Sequence, residues 1–260
     1  DKGNSGSPAG GIASVEVLWE KTAASSEPGC LVKNPKWMNY TIIFEATAEK
    51  GNAVIVGKNA SGAIVWSWHL WFTEQPKDQV YNNDAGTMMD RNLGATTVEN
   101  GGLFYQWGRK DPFCLEIGFK TVDSNRETGS IDYTIEHPTD FITHNEANGD
   151  WFYSGSIETD MSRWTKEKTM YDPCPAGYRV PDGDGYDGVW FAAMRKDPYN
   201  ESNGISDNGI DFSKTSYPLC SEYVFYPFTG SLNGATGEIK DKESVGYCWS
   251  VDHCPASVSR

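Results

Sequence analysis

Tyr171-Asp-Pro-Cys-Pro-Ala-Gly-Tyr-Arg-Val-Pro181 is the most constrained stretch of this chain. Pro173, Pro175 and Pro181 each fix φ and remove an N–H donor, Gly177 permits a positive φ, and the residue before each proline is pushed toward extended geometry. No helix can form there. The stretch reads as a stiff, extended connector, with Cys174 as a candidate staple and Tyr178, Arg179 and Val180 alternating as on a short strand. Two sheet-rich halves are expected around it.

Upstream, the chain reads as strands. Ala13-Ser-Val-Glu-Val-Leu-Trp19 and Tyr40-Thr-Ile-Ile-Phe-Glu45 are alternating or continuous apolar runs rich in β-branched residues. Asn52-Ala-Val-Ile-Val-Gly57 and Ala63-Ile-Val-Trp-Ser-Trp-His-Leu-Trp-Phe72 flank the turn Asn59-Ala-Ser-Gly62 and predict a β-hairpin. Alternation in the second run sends Trp66, Trp68, Leu70 and Phe72 to one face and Ser67, His69 and Trp71 to the other. Aromatic residues on both faces predict a central strand covered on both sides, and burial in a core explains them better than a sugar-stacking platform. His69 is read as hydrogen-bonded structure.

Residues 76–86 are loop-like. Thr87-Met-Met-Asp-Arg-Asn-Leu-Gly-Ala95 follows, and then Gly101-Gly-Leu-Phe-Tyr-Gln-Trp-Gly-Arg-Lys-Asp-Pro-Phe113 predicts a buried strand or short helix, with Arg109 and Asp111 placed to pair locally. From about residue 116 to 168 the text is polar and weakly patterned, with Trp151-Phe-Tyr153 and Trp164 as islands. A stretch of that length carries function or small elements of its own. Beyond the proline segment, Asp187 is placed to N-cap a helix Val189-Trp-Phe-Ala-Ala-Met-Arg-Lys196 that Asp197-Pro198 ends. Tyr223–Phe228 and Gly246–Ser250 read as strands around the turn signals Asn233-Gly234 and Thr236-Gly237.

Composition narrows the functional classes. With 36 acidic against 22 basic residues the formal charge is −14, and no basic cluster offsets it, so nucleic acid and anionic membrane surfaces are poor partners. The acids are spread through turns and read as a solvated surface. Asp182-Gly-Asp-Gly-Tyr-Asp-Gly188 invites a calcium reading, but Tyr186 and Ala193 fall where an EF-hand loop needs oxygen ligands, and no metal site is assigned. The cysteines, Cys30, Cys114, Cys174, Cys220, Cys248 and Cys254, include no Cys-x-x-Cys pair. If any are bridged, the pairing is expected among the last four; free buried thiols are the alternative. No apolar run reaches membrane-spanning length. Residues 1–12 read as a flexible tether, suiting a mature secreted protein, a lipoprotein with its lipid anchor upstream of residue 1, or a cloning remnant. Gly-x-Ser-x-Gly, His-Glu-x-x-His and phosphate-binding glycine motifs are missing, the four histidines show no ligand spacing, and the chain is read as non-enzymatic without a cofactor.

Four segments in order, Trp66-Ser-Trp-His-Leu-Trp71, Met89-Asp-Arg-Asn-Leu-Gly-Ala95, Tyr105-Gln-Trp-Gly-Arg-Lys-Asp-Pro-Phe113 and Tyr171–Pro181, resemble the Fibrobacter succinogenes major paralogous domain of Bacteroidetes surface and fimbrillin-like proteins. Tyr226-Pro-Phe-Thr-Gly230 and Gly246-Tyr-Cys-Trp-Ser250 fit the same pattern, so the resemblance covers residues 63–260. It implies an α+β, β-rich chain: a β-sandwich-like segment over residues 13–75, then a C-type-lectin-like domain over 76–260, a twisted antiparallel sheet with one or two short helices and long loops. It also implies an extracellular protein anchored at the outer membrane or in a pilus. Family members usually continue past the Trp-Ser motif through further strands, whereas here the sequence ends at Cys254-Pro-Ala-Ser-Val-Ser-Arg260; the resemblance then implies either a truncated product or unusually short last strands, and an edge left exposed would be a liability unless a partner strand covers it.

The expected function is adhesion: recognition of a glycan or of a host or bacterial surface protein. The candidate ligand-binding residues are Trp151, Tyr153, Trp249, Asp252 and His253, aromatic and polar groups in loops or beside a strand end. The calcium-dependent sugar motifs of C-type lectins, Glu-Pro-Asn and Trp-Asn-Asp, are missing, so calcium-mediated binding is not expected. The alternative is a structural subunit that contacts other pilus subunits, for which self-association after loss of the tether is the discriminating observation. The lectin fold's formylglycine-generating relatives work through specific cysteines without a convincing match here, and Cys248 and Cys254 are the pair whose native-state alkylation tests that reading.

Overall fold

The computed structural model describes residues 10–145, 148–156, 159–183, 188–195 and 204–252. It is β-rich, with 29% strand against 8% helix, and the strands form several small sheets instead of one large one. All pairings are antiparallel but one.

The N-terminal strands are β1 (Ser14–Thr22), β2 (Val32–Met38), β3 (Thr41–Ala46), β4 (Gly51–Lys58) and β5 (Ile64–Phe72). They make a three-stranded sheet of order β1-β4-β5 and a separate β2-β3 hairpin. The β4-β5 hairpin forms as the alternation predicts, closed by the Asn59 side chain, which accepts from the backbone N–H groups of Ser61 and Ala63. The expected central position of β5 is corrected: β4 lies in the middle and β5 at the edge. All of β4 is buried up to its last residue, and its alternation explains how. Ala53 and Ile55 pack with Leu31, Val32, Phe44, Leu70 and Phe72 under the β2-β3 hairpin, while Val54 and Val56 pack with Trp19, Leu103, Cys114 and Ile117 on the other face. Each fully buried Val or Ile contributes about 1.5–3 kcal/mol. The edge position of β5 leaves its outer side to side chains from the 105–113 segment, as described below.

Downstream, β6 (Asp78–Tyr81) pairs with β7 (Gly86–Met89), β8 (Thr121–Val122) runs parallel to β9 (Phe141–Ile142), and α1 (Ile131–Glu136) lies between those two, N-capped by the Ser130 hydroxyl. After α2 (Val189–Met194) come β10 (Ile205–Ser206), β11 (Gly209–Asp211) and β12 (Phe225–Pro227) in one sheet and the pair β13 (Ser231–Leu232) and β14 (Ile239–Lys240). α2 sits where the sequence predicts a helix, but it is shorter: Gly188 is its N-cap without a side-chain bond, and Arg195 ends it in the left-handed region at φ 52°. Asp187 and Asp197-Pro198 lie outside the described residues.

Three further expectations are corrected. The Tyr171–Pro181 segment is a loop folded around one carboxylate, with no strand in it. Asp172 Oδ1 accepts from the Cys174 N–H (2.9 Å) and the Lys168 ammonium (2.7 Å), Oδ2 accepts from the Val180 N–H (2.9 Å), and a turn closes from Tyr178 N–H to Pro175 O through Gly177 at φ 87°. Gly246–Ser250 forms no strand; its Ser250 carbonyl accepts from the Trp107 indole, and its Trp249 indole donates to Tyr105 O. Finally, Arg109 does not bond Asp111. It donates to Gln106 Oε1 (2.8 Å) and to the Asp140 and Pro138 carbonyls (2.7 and 3.2 Å), while Asp111 takes Lys110 and the Ser67 hydroxyl on β5. Cys30, Cys114, Cys174, Cys220 and Cys248 are free thiols; Cys254 lies outside the described residues.

Candidate functional site

Tryptophan side chains, used as donors to backbone carbonyls, build the walls of the site. Trp107 Nε1–H donates to Ser250 O (3.0 Å) and Trp249 Nε1–H returns to Tyr105 O (2.9 Å), a reciprocal pair that fastens the 249–252 segment to the 105–107 string. The Val251 N–H donates to Pro181 O, tying the same segment to the proline-rich loop. Trp151 donates to Trp107 O (2.7 Å) and Trp164 to Tyr171 O (2.8 Å). The rings also touch: Trp164 lies 5.7 Å from Trp107 and 6.3 Å from Trp249, centroid to centroid. An indole has one donor and a large apolar body, so each of these residues buries surface and fixes a carbonyl at once.

Beneath this scaffold sits a buried cationic layer. Arg163, ion-paired with Asp150, places its guanidinium 4.8 Å from the Trp107 ring centroid and 4.7 Å from that of Trp151, with Arg109 5.7 Å from Trp151. Gly108, at φ 78°, is required here, since a Cβ would come within 2.9 Å of Arg163 Nε. Desolvation lowers the Arg109 pKa to about 10 against the neighbouring Asp111 and Asp140 carboxylates, and the guanidinium stays charged at neutral pH.

Above the scaffold a cleft of ≈1230 Å³ opens, larger than the usual small-molecule pocket of roughly 300–1,000 Å³. Its walls come from β6 and β7, residues 99–107, the proline-rich loop, α2, β12 and residues 247–252. Trp249 is 52% exposed despite its anchored N–H, and borders the cleft. At another wall the Trp190 Nε1–H donates to the Tyr226 hydroxyl (2.8 Å), which lies 2.9 Å from that of Tyr81. Burial pushes both phenols up and holds them neutral. Cys248 is reached by solvent from within the cleft, yet the surrounding chain desolvates its thiol and pushes its pKa up to about 12. It is therefore a thiol, not a thiolate, at neutral pH.

The expected binding residues separate in space. Trp249 and Asp252 both line the cleft, with the Asp252 carboxylate accepting from the Gly183 N–H at 2.7 Å. Trp151 also borders the cleft, but at 3% exposure it is part of the scaffold and offers little surface. Tyr153 is exposed beside Gly129, away from the cleft walls. His253 lies outside the described residues. Sequence reasoning did not single out Tyr81, Trp190 and Tyr226. The aromatic-Pro-Phe-Thr-Gly string that contains Tyr226 was visible, but nothing local signals that residues more than a hundred positions apart share a hydrogen bond.

Among the described residues no three His, Cys, Asp or Glu side chains gather as a metal site would need, and no helix is long and apolar enough to cross a membrane. Comparison of the chain with protein-family profiles, with curated proteins and with solved structures gives no match.

Proposed function

We propose that this chain is a non-enzymatic binding module of the cell surface, extracellular and anchored at the outer membrane or in a pilus, whose C-type-lectin-like part holds a glycan or protein ligand in the aromatic cleft. The observation that carries the reading is Trp249. Its indole N–H is fixed to Tyr105 O while half of the residue stays open in a cleft lined by further rings and hydroxyls. A rigid, exposed ring beside polar groups suits stacking on the C–H face of a sugar while the polar groups read its hydroxyls. The ordered motifs shared with the Fibrobacter succinogenes major paralogous domain support the surface location and the lectin-like architecture. The neutral Cys248 thiol argues against nucleophilic chemistry in the cleft. A glycan array with and without calcium, repeated with Trp249→Ala, tests the proposal. Calcium-independent binding that the variant loses is expected; a blank array with folded protein would sink it.

A second reading, a pilus or surface-assembly subunit, is favoured by a different feature. The β2-β3 hairpin turns through Asn39 and Tyr40, both at positive φ, and leaves Met38 53%, Ile43 43% and Tyr40 88% exposed. Contiguous exposed apolar groups of this kind mark contact surfaces. Sedimentation of the chain against a Met38→Ser/Tyr40→Ser variant decides: concentration-dependent association lost in the variant supports assembly, and a monomer throughout speaks against it.

A further inference from the structure

At the Tyr81–Tyr226–Trp190 wall of the cleft, three protons meet two oxygens. The Trp190 indole proton goes to Tyr226 O, and one phenolic proton serves the 2.9 Å contact between the two hydroxyls, whichever phenol donates it. One phenolic proton is left over. Among the described residues no carboxylate or carbonyl oxygen takes it. Tyr81 is 2% exposed and both phenols line the cleft, so the surplus donor belongs to an interior wall. Around it lie Ala85, Val189 and Val224, which cannot accept, and the sulfurs of Met88, Cys220 and Cys248, which are weak acceptors. That proton is left for an oxygen inside the cleft, water in the free protein and a ligand's oxygen in its place.

The charges along the cleft narrow what can bring that oxygen. Arg91 grips Asp90 with two nitrogens (2.8 and 3.1 Å) and sends its third to Thr73 and Thr96. Arg179 grips Asp182 in the same two-pronged way (3.1 and 2.7 Å) and bonds Val180 O. Both guanidiniums are thus committed within the wall. Glu99, Glu116 and Asp252 also line the cleft, with Lys242 as the cation beside them. An anionic ligand would meet carboxylates in excess and committed guanidiniums.

We infer that the cleft takes an uncharged oligosaccharide, seated with a hydroxyl or acyl-carbonyl oxygen accepting the surplus phenolic proton, and turns away uronate- and sialate-bearing chains. This rests on the glycan-binding reading above and names its ligand class. The test is an array of neutral malto-, xylo- and chito-oligosaccharides printed beside oligogalacturonates and sialylated glycans, followed by titration of the tightest binder into the wild-type chain and into Tyr81→Phe/Tyr226→Phe/Trp190→Phe. All three donors must be removed, since either phenol removed alone, or both removed beside an intact indole, leaves at least one proton without an acceptor. Neutral chains bound in preference to acidic ones, with affinity lowered about tenfold or more in the triple variant, is the expected result. Acidic glycans bound as tightly as neutral ones overturn the inference on the wild-type chain alone, even if the triple variant fails to fold. Neutral binding lost in Trp249→Ala but unchanged in the triple variant overturns it while leaving the binding module standing. A blank array removes both.

Discussion

Two buried carboxylates do for this chain what longer ladders do elsewhere. Glu20, 3% exposed on β1, accepts from the N–H groups of Leu31 (2.7 Å), Val32 (2.9 Å) and Gly29, closing the loop between β1 and β2, much as Asp172 organises the proline-rich loop. Glu20→Gln turns one acceptor into a donor facing another donor, so a loss of about 2–4 kcal/mol in denaturant unfolding is expected. An unchanged midpoint would mean the loop closes without the carboxylate. His69 gives a prediction in pH. Its Nε2 meets Asn52 Oδ1 at 2.9 Å and its Nδ1 faces the Tyr105 hydroxyl at 3.4 Å, a setting for the neutral ring. Desolvation lowers its pKa to about 4, with Asp111 opposing. Because the unfolded chain takes up this proton near pH 6.5 and the folded chain refuses it until about 4, the histidine's contribution is complete above pH 6.5 and is lost as pH falls through that window. About 3 kcal/mol should disappear between pH 7 and 4 in chemical unfolding, and His69→Gln should flatten that slope. A slope identical in both proteins would rule the ring out as its source.

At the scale of elements, legibility followed periodicity. Strands β1, β3, β4 and β5 are six to nine residues long, enough for alternation to show, and the sequence places them. α1, with six residues, offers less than two turns of pattern and hides in polar text; only Ser130 marks its start. The two-residue strands β8, β9, β10, β13 and β14 carry no period at all. Gly246–Ser250 misled for another reason: its tyrosine and tryptophan suit a strand, while its Ser250 carbonyl and Trp249 indole bond the Trp107 indole and the Tyr105 carbonyl, which local propensity cannot register. Trp249 and Asp252, picked out by type and place, border the cleft, whereas Trp151 looked the same in sequence and is buried against two arginines from elsewhere in the chain. Trp107→Phe tests the indole strap directly. An aromatic ring against Trp164 and Arg163 is kept, while the donor to Ser250 and part of the indole's buried volume are deleted. A loss of about 1–2 kcal/mol is expected, with faster amide exchange in residues 248–252 than elsewhere. Exchange accelerated evenly over the whole chain would show that the segment is held by something other than this bond.

On the scale of the whole molecule, the boundary expected at residues 75 and 76 runs through a packed seam. Val54 and Val56 share one apolar cluster with Leu103, Cys114 and Ile117. Asn52 donates to Gly94 O (2.8 Å), Trp71 to Ala95 O (3.0 Å) and the Ser67 hydroxyl to Asp111 (2.6 Å), and Lys110 covers the Trp66 ring at 4.5 Å. Separating the halves would expose one face of β4 and leave Asp111 and Lys110 without Ser67. Unfolding of one half therefore strips the other of buried partners, which is the condition for cooperativity. Calorimetry should show a single transition whose van't Hoff and calorimetric enthalpies agree, and a fragment of residues 10–75 should lack the β-sheet spectrum that those residues have in the full chain. Ser67→Ala, which leaves the Asp111 carboxylate with one partner fewer across the seam, should lower that single transition without splitting it. Two resolved transitions, with the lower one indifferent to Ser67→Ala, would mean that each half carries its own stability and that the seam is contact without coupling. The 103–107 string borders the cleft while its Leu103 packs against Val54 and Val56 of β4, so a coupled seam also makes the position of Tyr105 and Trp107, and through them Trp249, depend on the N-terminal strands.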